Sequence, residues 1–543
     1  MSGRLGFVPV RAGDDLVGGA EMLVAELADG LAARGHAVDV LTGTAAEHFG
    51  ALDRYAPGVT VRPSGARLLR FASVSTRARA DRVLGNRLLA ATGTLTPEAA
   101  ARWCHDDVRV PGLIEHLAAH AGEYRALVFA PYLYWTTLAG TLVDPARTIV
   151  LPCLHDEPTA TLTAMDRMFA ESRGVWFLTD PEADLARRRF PRLADHAVIG
   201  SAVAPPGPVD GDRFRARFGV EGPFVLLLGR REAGKGSDAA IADFVAAAER
   251  AGTDLRLVTA GPGALTLDAR TRSRVLDVGR LEPSDRDDAL AAAVALYQPS
   301  PHESFSRVMM EAWQVHTPVI ANAASAVSAW HVERSGGGVV YTGVDDLVAA
   351  LRDVRDPAFV ARGVAGAAYV AGEYTWPVVL DRVEASLDAW FPAEQPLPGP
   401  MGPSGRRAVV VGPFPPIAEP GDAATVEVTE AVLAATRVHW AAGDAVTVVS
   451  PSPSLAGHHA DPATRRGVRR IARLVRTADT VVIAAPVPRR LEPVLHRVPE
   501  VERRWGPAVP VLPARSPRPG ARLAWHLARL RAGLPSFLRS LRP

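Results

Sequence analysis

Two glutamates, Glu303 and Glu311, lie eight positions apart in the segment SPHESFSRVMMEAWQVHTPVIA, which runs from Ser300 to Ala321. The apolar run ending at Tyr297 predicts a buried strand, and two prolines break that strand. The spacing of apolar residues then predicts a helix over 304–313. The two carboxylates therefore flank a strand-to-helix turn, where they can hold the hydroxyl groups of a ligand.

The first turn of this predicted helix contains Ser304, Phe305 and Ser306. Amides at a helix start have no acceptor within the helix, and the helix dipole adds partial positive charge there. Such a helix start favours an anion, most naturally a phosphate. Because glutamates at this spacing are common on exposed helix flanks, the interpretation depends on the other motifs.

A glycine pair, Gly18 and Gly19, follows the first predicted strand and precedes Glu21 and an amphipathic helix. Glycine lets the backbone approach a ligand closely, and the helix start adds free amides. The alternative is a tight strand-to-helix connection in which glycine only supplies backbone freedom.

A second loop, GRREAGKG, begins at Gly229 after a buried strand and carries Arg230, Arg231 and Lys235. Cations of this kind can neutralise the oxygens of a leaving diphosphate. The spacing is not that of a P-loop. The alternative is a solvated basic loop, and Arg231 is a weaker candidate than Arg230.

His155 directly follows another predicted strand, and an aromatic turn with Tyr132, Tyr134 and Trp135 ends a neighbouring one. A histidine at a strand end can hydrogen-bond a sugar or assist an acceptor, although a lone histidine is as often structural. The aromatic rings offer an acceptor platform, but we expect at least two of them to pack in the core.

Two D-x-D patterns, Asp210 to Asp212 and Asp285 to Asp287, do not end convincing strands beside the glutamates. We therefore predict no catalytic metal. Ser284 and Asp285 are typical of a helix cap.

Apolar runs alternate with helical patterns in two successive sets, which predicts an α/β fold with two Rossmann-like domains facing a cleft. We predict domains over 1–200 and 201–390. A linker over 391–407 has five prolines and three glycines. Residues 408–543 echo the start of the chain, which predicts a degenerate Rossmann-like accessory domain with a basic C-terminal tail.

The composition is that of an ordinary soluble globular protein: 543 residues, 48% apolar, with a formal charge of +2. This charge gives no indication of nucleic-acid binding. Two cysteines exclude a disulfide framework and fit a reducing cytoplasm, and the N-terminus does not resemble a secretory signal. The uncharged stretch 126–143 is interpreted as a strand, a turn and a short helix rather than a membrane span.

Two regions are locally basic, 62–87 and 515–542, each with seven arginines. The second is interleaved with leucines and aromatic residues. Such a segment can lie on the inner face of a membrane, but a solvated tail or a partner-binding helix fits equally well.

Together the four motifs resemble those of retaining glycosyltransferases of the GT-B fold, in particular glycosyltransferase family 4. The resemblance spans about residues 1 to 390 and rests on the E-x7-E pair, the GG-x-E element with its following R-G-H-x-V strand, the G-R-x4-K-G loop and the strand-end histidine. The sequence departs from the family at Ser304 and Ser306, where many relatives have glycine, and at Arg307, where an apolar residue is common.

The resemblance implies transfer of a sugar from a nucleoside diphosphate sugar to a hydroxyl acceptor with retention. It makes Glu303, Lys235, Arg230 and His155 the catalytic candidates. The implied donor-binding residues are Gly18, Gly19, Glu21, Gly279, Arg280, Leu281, Ser304, Phe305, Ser306 and Glu311. Gly279 to Leu281 would form the wall around the nucleobase. We expect no cofactor beyond the donor, and a glycan, lipid-linked or small-molecule acceptor.

Two alternatives stay open. One is a sugar-nucleotide epimerase or hydrolase of the same fold, which would act on the donor alone. The other is a non-catalytic sugar-nucleotide-binding scaffold protein whose third domain recruits partners.

Overall fold

The computed structural model describes residues 3–13, 18–46, 54–74, 80–231, 237–263, 265 and 267–392, and five strand segments between 407 and 503. The chain divides into two compact units, Met1–Met401 and Gly402–Pro543. The larger unit contains two mainly parallel sheets with helices on their faces. The predicted α/β fold with two Rossmann-like domains is confirmed.

The first sheet has eight strands in the order β3-β4-β2-β1-β5-β6-β7-β8. Strands β3 and β4 pair antiparallel, and the other pairs are parallel. The strands are β1 (Arg4–Pro9), β2 (Val38–Gly43), β3 (Gly58–Val61), β4 (Arg67–Phe71), β5 (Tyr124–Ala130), β6 (Thr148–Val150), β7 (Gly174–Phe177) and β8 (His196–Val198).

Helices cover both faces of this sheet, because its central strands are buried on both sides; β2, for example, is buried throughout. Helix α1 buries one face, with Leu23, Leu27 and Leu31 at helical spacing. The helices are α1 (Gly19–Ala33), α2 (Ala80–Thr92), α3 (Pro97–His105), α4 (Pro111–His120), α5 (Trp135–Gly140), α6 (Thr163–Glu171) and α7 (Asp180–Arg189).

The second sheet has six parallel strands in the order β11-β10-β9-β12-β13-β14. They are β9 (Phe224–Leu228), β10 (Arg256–Ala260), β11 (Val275–Gly279), β12 (Ala295–Gln298), β13 (Val319–Asn322) and β14 (Gly338–Tyr341). Its helices are α8 (Gly211–Phe218), α9 (Ser237–Ala251), α10 (Ala269–Arg274), α11 (Pro283–Ala292), α12 (Arg307–Gln314), α13 (Ala326–Ser335), α14 (Val344–Asp353), α15 (Pro357–Glu373) and α16 (Trp376–Trp390).

Each sheet reverses its strand order once, beside β1 in the first sheet and beside β9 in the second. Connections on the two sides of such a reversal cover opposite faces, so a crevice opens at the carboxyl ends of the two central strands. In the second sheet this crevice lies between β9 and β12. The topology therefore predicts the location of a ligand before any side chain is considered.

The last helix of the unit, α16, crosses back onto the first sheet. Trp176 Nε1 donates to Ser386 Oγ at 2.8 Å. The Arg125 guanidinium donates to the carbonyl oxygens of Leu387 and Phe391 at 3.1 and 2.9 Å. The C-terminal helix of this unit therefore packs against the first sheet.

The second unit contains a five-stranded sheet, in the order β17-β16-β15-β18-β19, in which every pair is parallel. Its strands are β15 (Arg407–Val411), β16 (Ala445–Ser450), β17 (His458–His459), β18 (Thr480–Ile483) and β19 (Glu500–Arg503). This is the strand order of a Rossmann-like half. The basic segment 515–542 lies outside the described residues.

The uncharged stretch 126–143 falls on β5, a turn and α5, as predicted. Within the part of the chain that the structure describes, no helix is both long and apolar enough to span a bilayer.

The packing of α16 on the first sheet yields a stability prediction at Gly174. A methyl group there would lie 2.4 Å from the Trp390 ring, so Gly174→Ala is expected to destabilise the protein by about 1–3 kcal/mol. The matched control is Gly372→Ala on α15, where a methyl group meets no atom within 4 Å. That change is expected to be neutral or stabilising by less than about 1 kcal/mol. Denaturant midpoints measure both; equal midpoints would contradict the packing.

Candidate active site

A cavity of about 220 Å³ opens at the carboxyl ends of β9 and β12, where the strand order reverses. Its walls combine the end of β9, the end of β12, the start of α12 and the start of α1. The lining residues are Gly19, Leu227, Leu228, Gly229, Arg230, Ser237, Tyr297, Gln298, Pro299, Ser300, Glu303, Ser306, Arg307 and Val308. The cavity therefore brings together Gly19, Arg230, Glu303 and Ser306 from motifs that are far apart in sequence.

The turn after β12 differs from the prediction, because α12 begins at Arg307 rather than at Ser304. Ser306 adopts the left-handed conformation, with φ 65° and ψ 66°, and precedes the helix as its cap residue. Its hydroxyl accepts a hydrogen bond from Gln298 Nε2 at 2.5 Å. The first helical amides are consequently those of Arg307 and Val308, both on the cavity wall.

Phe305 anchors this turn in the core. It is 3% exposed, and its ring lies 5.1 Å from that of His331 and 4.9 Å from that of Tyr374, both edge to face. Burial lowers the pKa of His331 to about 3, so the imidazole is neutral at pH 7. The Phe305 side chain is thus part of the support for the turn. His331 and Tyr374 carried no sequence signal that linked them to the site.

The two glutamates of the motif have different surroundings. Glu303 lines the cavity. Glu311, on α12, lies 3.4 Å from the Arg286 guanidinium and is not among the described residues that line the cavity. Burial raises the pKa of Glu311, and the positive charges of Arg286 and Arg307 oppose that rise.

The glycine pair before α1 also divides into two roles. A methyl group on Gly18 would lie 2.1 Å from Glu21 Oε2, whereas one on Gly19 meets nothing within 4 Å. Glu21 is buried and accepts a hydrogen bond from Arg11 Nε at 2.8 Å. Glu21 and Gly18 therefore fix the shape of the loop, and Gly19 presents its open side to the cavity.

The basic loop after β9 is split in the same way. Arg230 is exposed on the cavity wall. The Arg231 guanidinium instead binds Asp277 and donates to the Gly263 carbonyl oxygen at 3.0 Å, which ties the loop after β9 to the loop after β10 and to strand β11. Lys235 lies outside the described residues.

Gly279, Arg280 and Leu281 lie at the end of β11, two strands from β9. The Gly279 carbonyl oxygen accepts from Gly261 N at 2.8 Å, and Gly279 has a φ of 72°, which favours glycine. Leu281 packs against the core and Arg280 is exposed. These residues share the carboxyl edge of the sheet with the cavity but are not among the described residues that line it.

One expectation about a helix cap is corrected by the structure. Helix α11 begins at Pro283 with Glu282 as its cap residue, so Ser284 and Asp285 lie inside the first turn. Asp285 pairs with Arg217 at 2.8 Å. Asp210, from the first D-x-D pattern, caps α8 by accepting from two backbone amides.

His155 follows β6 in the first sheet and lies near the loop that leads to Glu303. Its ring centroid is 6.3 Å from that of His302, and its Nδ1 is 3.9 Å from Glu157 Oε1. Of the aromatic turn, Tyr132 and Trp135 are buried, as predicted, whereas Tyr134 is half-buried. His155 therefore lies on the side of the first sheet, near His302, the residue that precedes Glu303.

Glu182 is a buried residue that no sequence motif linked to the site. Its carboxyl group binds the backbone after β6 and after β7. It accepts from the backbone amides of Leu154 and Leu178, each at 2.6 Å. Thr179, which caps α7, donates its hydroxyl to the Ser304 carbonyl oxygen at 3.2 Å. Burial raises the pKa of Glu182 to about 8, and its backbone hydrogen bonds oppose the rise.

This raised pKa predicts how stability depends on pH. The folded protein binds the Glu182 proton more tightly than the unfolded chain, so stability is lost as pH rises towards about 8. The buried His116 and His331, with lowered pKa values, act in the opposite direction, but only below about pH 6.5. Between pH 6.5 and 8, ionisation of Glu182 is therefore expected to lower the free energy of unfolding, by at most about 1.4 kcal/mol per pH unit.

Denaturant unfolding at several pH values tests this expectation. Glu182→Gln, which cannot ionise, should flatten the profile, whereas Glu221→Gln, at an exposed glutamate, should leave it unchanged. An identical slope in Glu182→Gln and wild type would show that Glu182 does not titrate in this range.

Comparison with known proteins agrees with this geometry. Residues 222–356, which include the whole second sheet, match the family "Glycosyl transferases group 1". The chain is 27% identical over 396 residues to a D-inositol 3-phosphate glycosyltransferase of Acidothermus cellulolyticus, covering 66% of this chain and 83% of that protein. It is 29% identical over 418 residues to one of Geodermatophilus obscurus, covering 70% and 86%.

The fold of the larger unit is also that of solved structures. Sucrose-phosphate synthase from Thermosynechococcus elongatus superposes with a TM-score of 0.55 at 19% identity, covering 72% of this chain and all of the other. The sheets, the cavity and the family match define a glycosyltransferase of the GT-B fold. More particularly, the match to the group 1 glycosyl transferases covers the whole second sheet.

Proposed function

We propose that this enzyme transfers a sugar from a nucleoside diphosphate sugar to a hydroxyl acceptor and retains the configuration at the anomeric carbon. One observation carries the proposal: a single cavity at the strand-order reversal is lined by Arg230, Glu303 and the first residues of α12. Cations, helix-start amides and a carboxylate are the groups that a diphosphate joined to a sugar requires.

The diphosphate would lie against Arg230 and the amides at the start of α12, and Lys235 would supply a second cation. These groups stabilise the negative charge that develops on the departing diphosphate, which is typically the largest contribution to catalysis of this kind. We assign no metal ion to the reaction, because these groups supply the positive charge that the leaving group needs.

Glu303 would bind the transferred sugar, and Glu311 the ribose of the donor. Arg286 supports the second assignment, because its charge favours the carboxylate form of Glu311 against the effect of burial. The leaving phosphate would accept the proton of the attacking hydroxyl on the same face of the sugar. No enzymic nucleophile is then needed.

The acceptor would enter from the first sheet, on the side of His155. The relatives named above favour a small phosphorylated polyol among the acceptor classes considered. In this arrangement His155 hydrogen-bonds the transferred sugar or the acceptor hydroxyl. Peripheral membrane contact through the arginine-rich segment 515–542 stays a prediction.

A thermal-shift panel of UDP, GDP, ADP and their sugars tests donor binding. A ligand that binds only the folded state raises the apparent Tm. At a ligand concentration a hundredfold above Kd, it increases the free energy of unfolding by about 2.7 kcal/mol. We expect one nucleoside diphosphate series to do so.

Product analysis then separates the activities: transfer to an acceptor supports the proposal, whereas epimer or free sugar formed from donor alone supports the epimerase or hydrolase. Tight binding with no turnover supports the scaffold protein.

Lys235→Ala is expected to lower kcat by about 10²–10³-fold, as does removal of another preorganised group that stabilises transition-state charge. Arg250→Ala is the matched control. It removes a cation of the same domain that pairs with Asp345 on the exposed surface. Steady-state kinetics with the identified donor measure both, with circular dichroism to verify folding. Near-normal turnover by folded Lys235→Ala would remove Lys235 from the mechanism.

A further inference from the structure

Ser306 and Arg307 are adjacent positions at which this chain departs from the family it resembles. Ser306 has a φ of 65°, a conformation that glycine adopts freely and that a residue with a side chain adopts only at a cost in free energy. Such a conformation persists when its surroundings hold it in place. The question is what holds this turn on the cavity wall.

Arg307 reaches from the second sheet to the first. Its Nη1 lies 2.8 Å from Glu26 Oε2, and its Nη2 donates to Glu26 Oε1 at 3.0 Å, so both ends of the guanidinium contact the carboxylate. Nη1 also donates to the Ala202 carbonyl oxygen at 2.8 Å and to Ser201 Oγ at 3.1 Å. Glu26 belongs to α1. Ser201 and Ala202 belong to the segment of chain that connects β8 to α8.

The Arg307–Glu26 pair is well shielded. The side chains of Arg307 and Glu26 are 13% and 27% exposed. Burial raises the pKa of Glu26, and the positive charge of Arg307 opposes that rise. The ion pair therefore offsets part of the free-energy cost of burying the two charges. A two-contact arginine–carboxylate pair of this kind fixes orientation as well as distance.

Two further contacts hold the same turn. The first sheet contributes the hydrogen bond from Thr179 to the Ser304 carbonyl oxygen, and the second contributes the hydrogen bond from Gln298 to the Ser306 hydroxyl. The turn is therefore held on both sides of Ser306, and Arg307 makes the most extensive of these contacts with the first domain.

We propose that Arg307 is a positioning residue that holds Ser306 in its left-handed conformation through Glu26, so that the donor-binding turn is complete only while α1 packs against it. In this chain, a contact between domains replaces the conformational freedom that glycine provides at position 306. The inference rests on the proposed role of the cavity as the nucleoside diphosphate site. It adds that the first domain helps to shape that site.

A double-mutant cycle tests the coupling between the two positions. Arg307→Leu is expected to weaken binding of the nucleoside diphosphate by about five- to thirtyfold, the effect of leaving the turn without its support. Ser306→Gly alone is the reference for the cycle, because glycine adopts this conformation readily. The variant with both changes should recover to within about threefold of Ser306→Gly.

Isothermal titration with UDP, GDP and ADP measures each Kd, and Arg250→Leu is the matched control for loss of an arginine in an ion pair of the same domain. If Arg307→Leu does not fold, Glu26→Gln, with and without Ser306→Gly, provides the same cycle from the other partner. Recovery of binding by glycine separates positioning from a general loss of stability, which glycine at 306 would not repair.

The outcomes distinguish the two proposals. If wild type binds none of the three diphosphates, the donor site and this inference both fail. If wild type binds one of them and Arg307→Leu binds equally well, or if the double variant is as weak as Arg307→Leu, the donor site stands and the positioning role is overturned.

Discussion

The strand-order reversal between β9 and β12 is the constraint on which the site depends. Parallel strands need crossover connections, and the connections on the two sides of a reversal cover opposite faces of the sheet. The carboxyl ends of these two strands are therefore left open between the connections, and the turns that follow them converge on one volume. Arg230 follows the first strand and Glu303 the second. Two residues that are 73 positions apart in sequence therefore line the same cavity.

The second sheet supplies most of this cavity, but the first sheet determines much of its shape. Gly19 opens one side, Thr179 contacts the turn before α12, and Arg307 bridges to Glu26. At the opposite end of the unit, α16 packs on the first sheet through Trp176 and Arg125. The active site is thus a property of both sheets together, which explains why few of its supporting contacts are local in sequence.

The sequence was a good guide to the buried parallel strands. The apolar run that ends at Tyr297 falls on β12, and the buried strand predicted before Gly229 is β9. The apolar pattern predicted no strand at Gly58–Val61, because β3 is an exposed edge strand without a buried face to impose alternation. The start of α12 was placed three residues early, because a serine in the left-handed conformation looks in sequence like an ordinary first-turn residue. Glu21, which matched a family motif, also pairs with Arg11, and no local pattern in the sequence predicts that contact.

The bridge between Arg307 and Glu26 joins residues 281 positions apart. With a positioning role for Arg307, the three positions 26, 306 and 307 work as a unit. Glycine at 306 would then remove the need for both charges, whereas a side chain at 306 would require the arginine and the acid together.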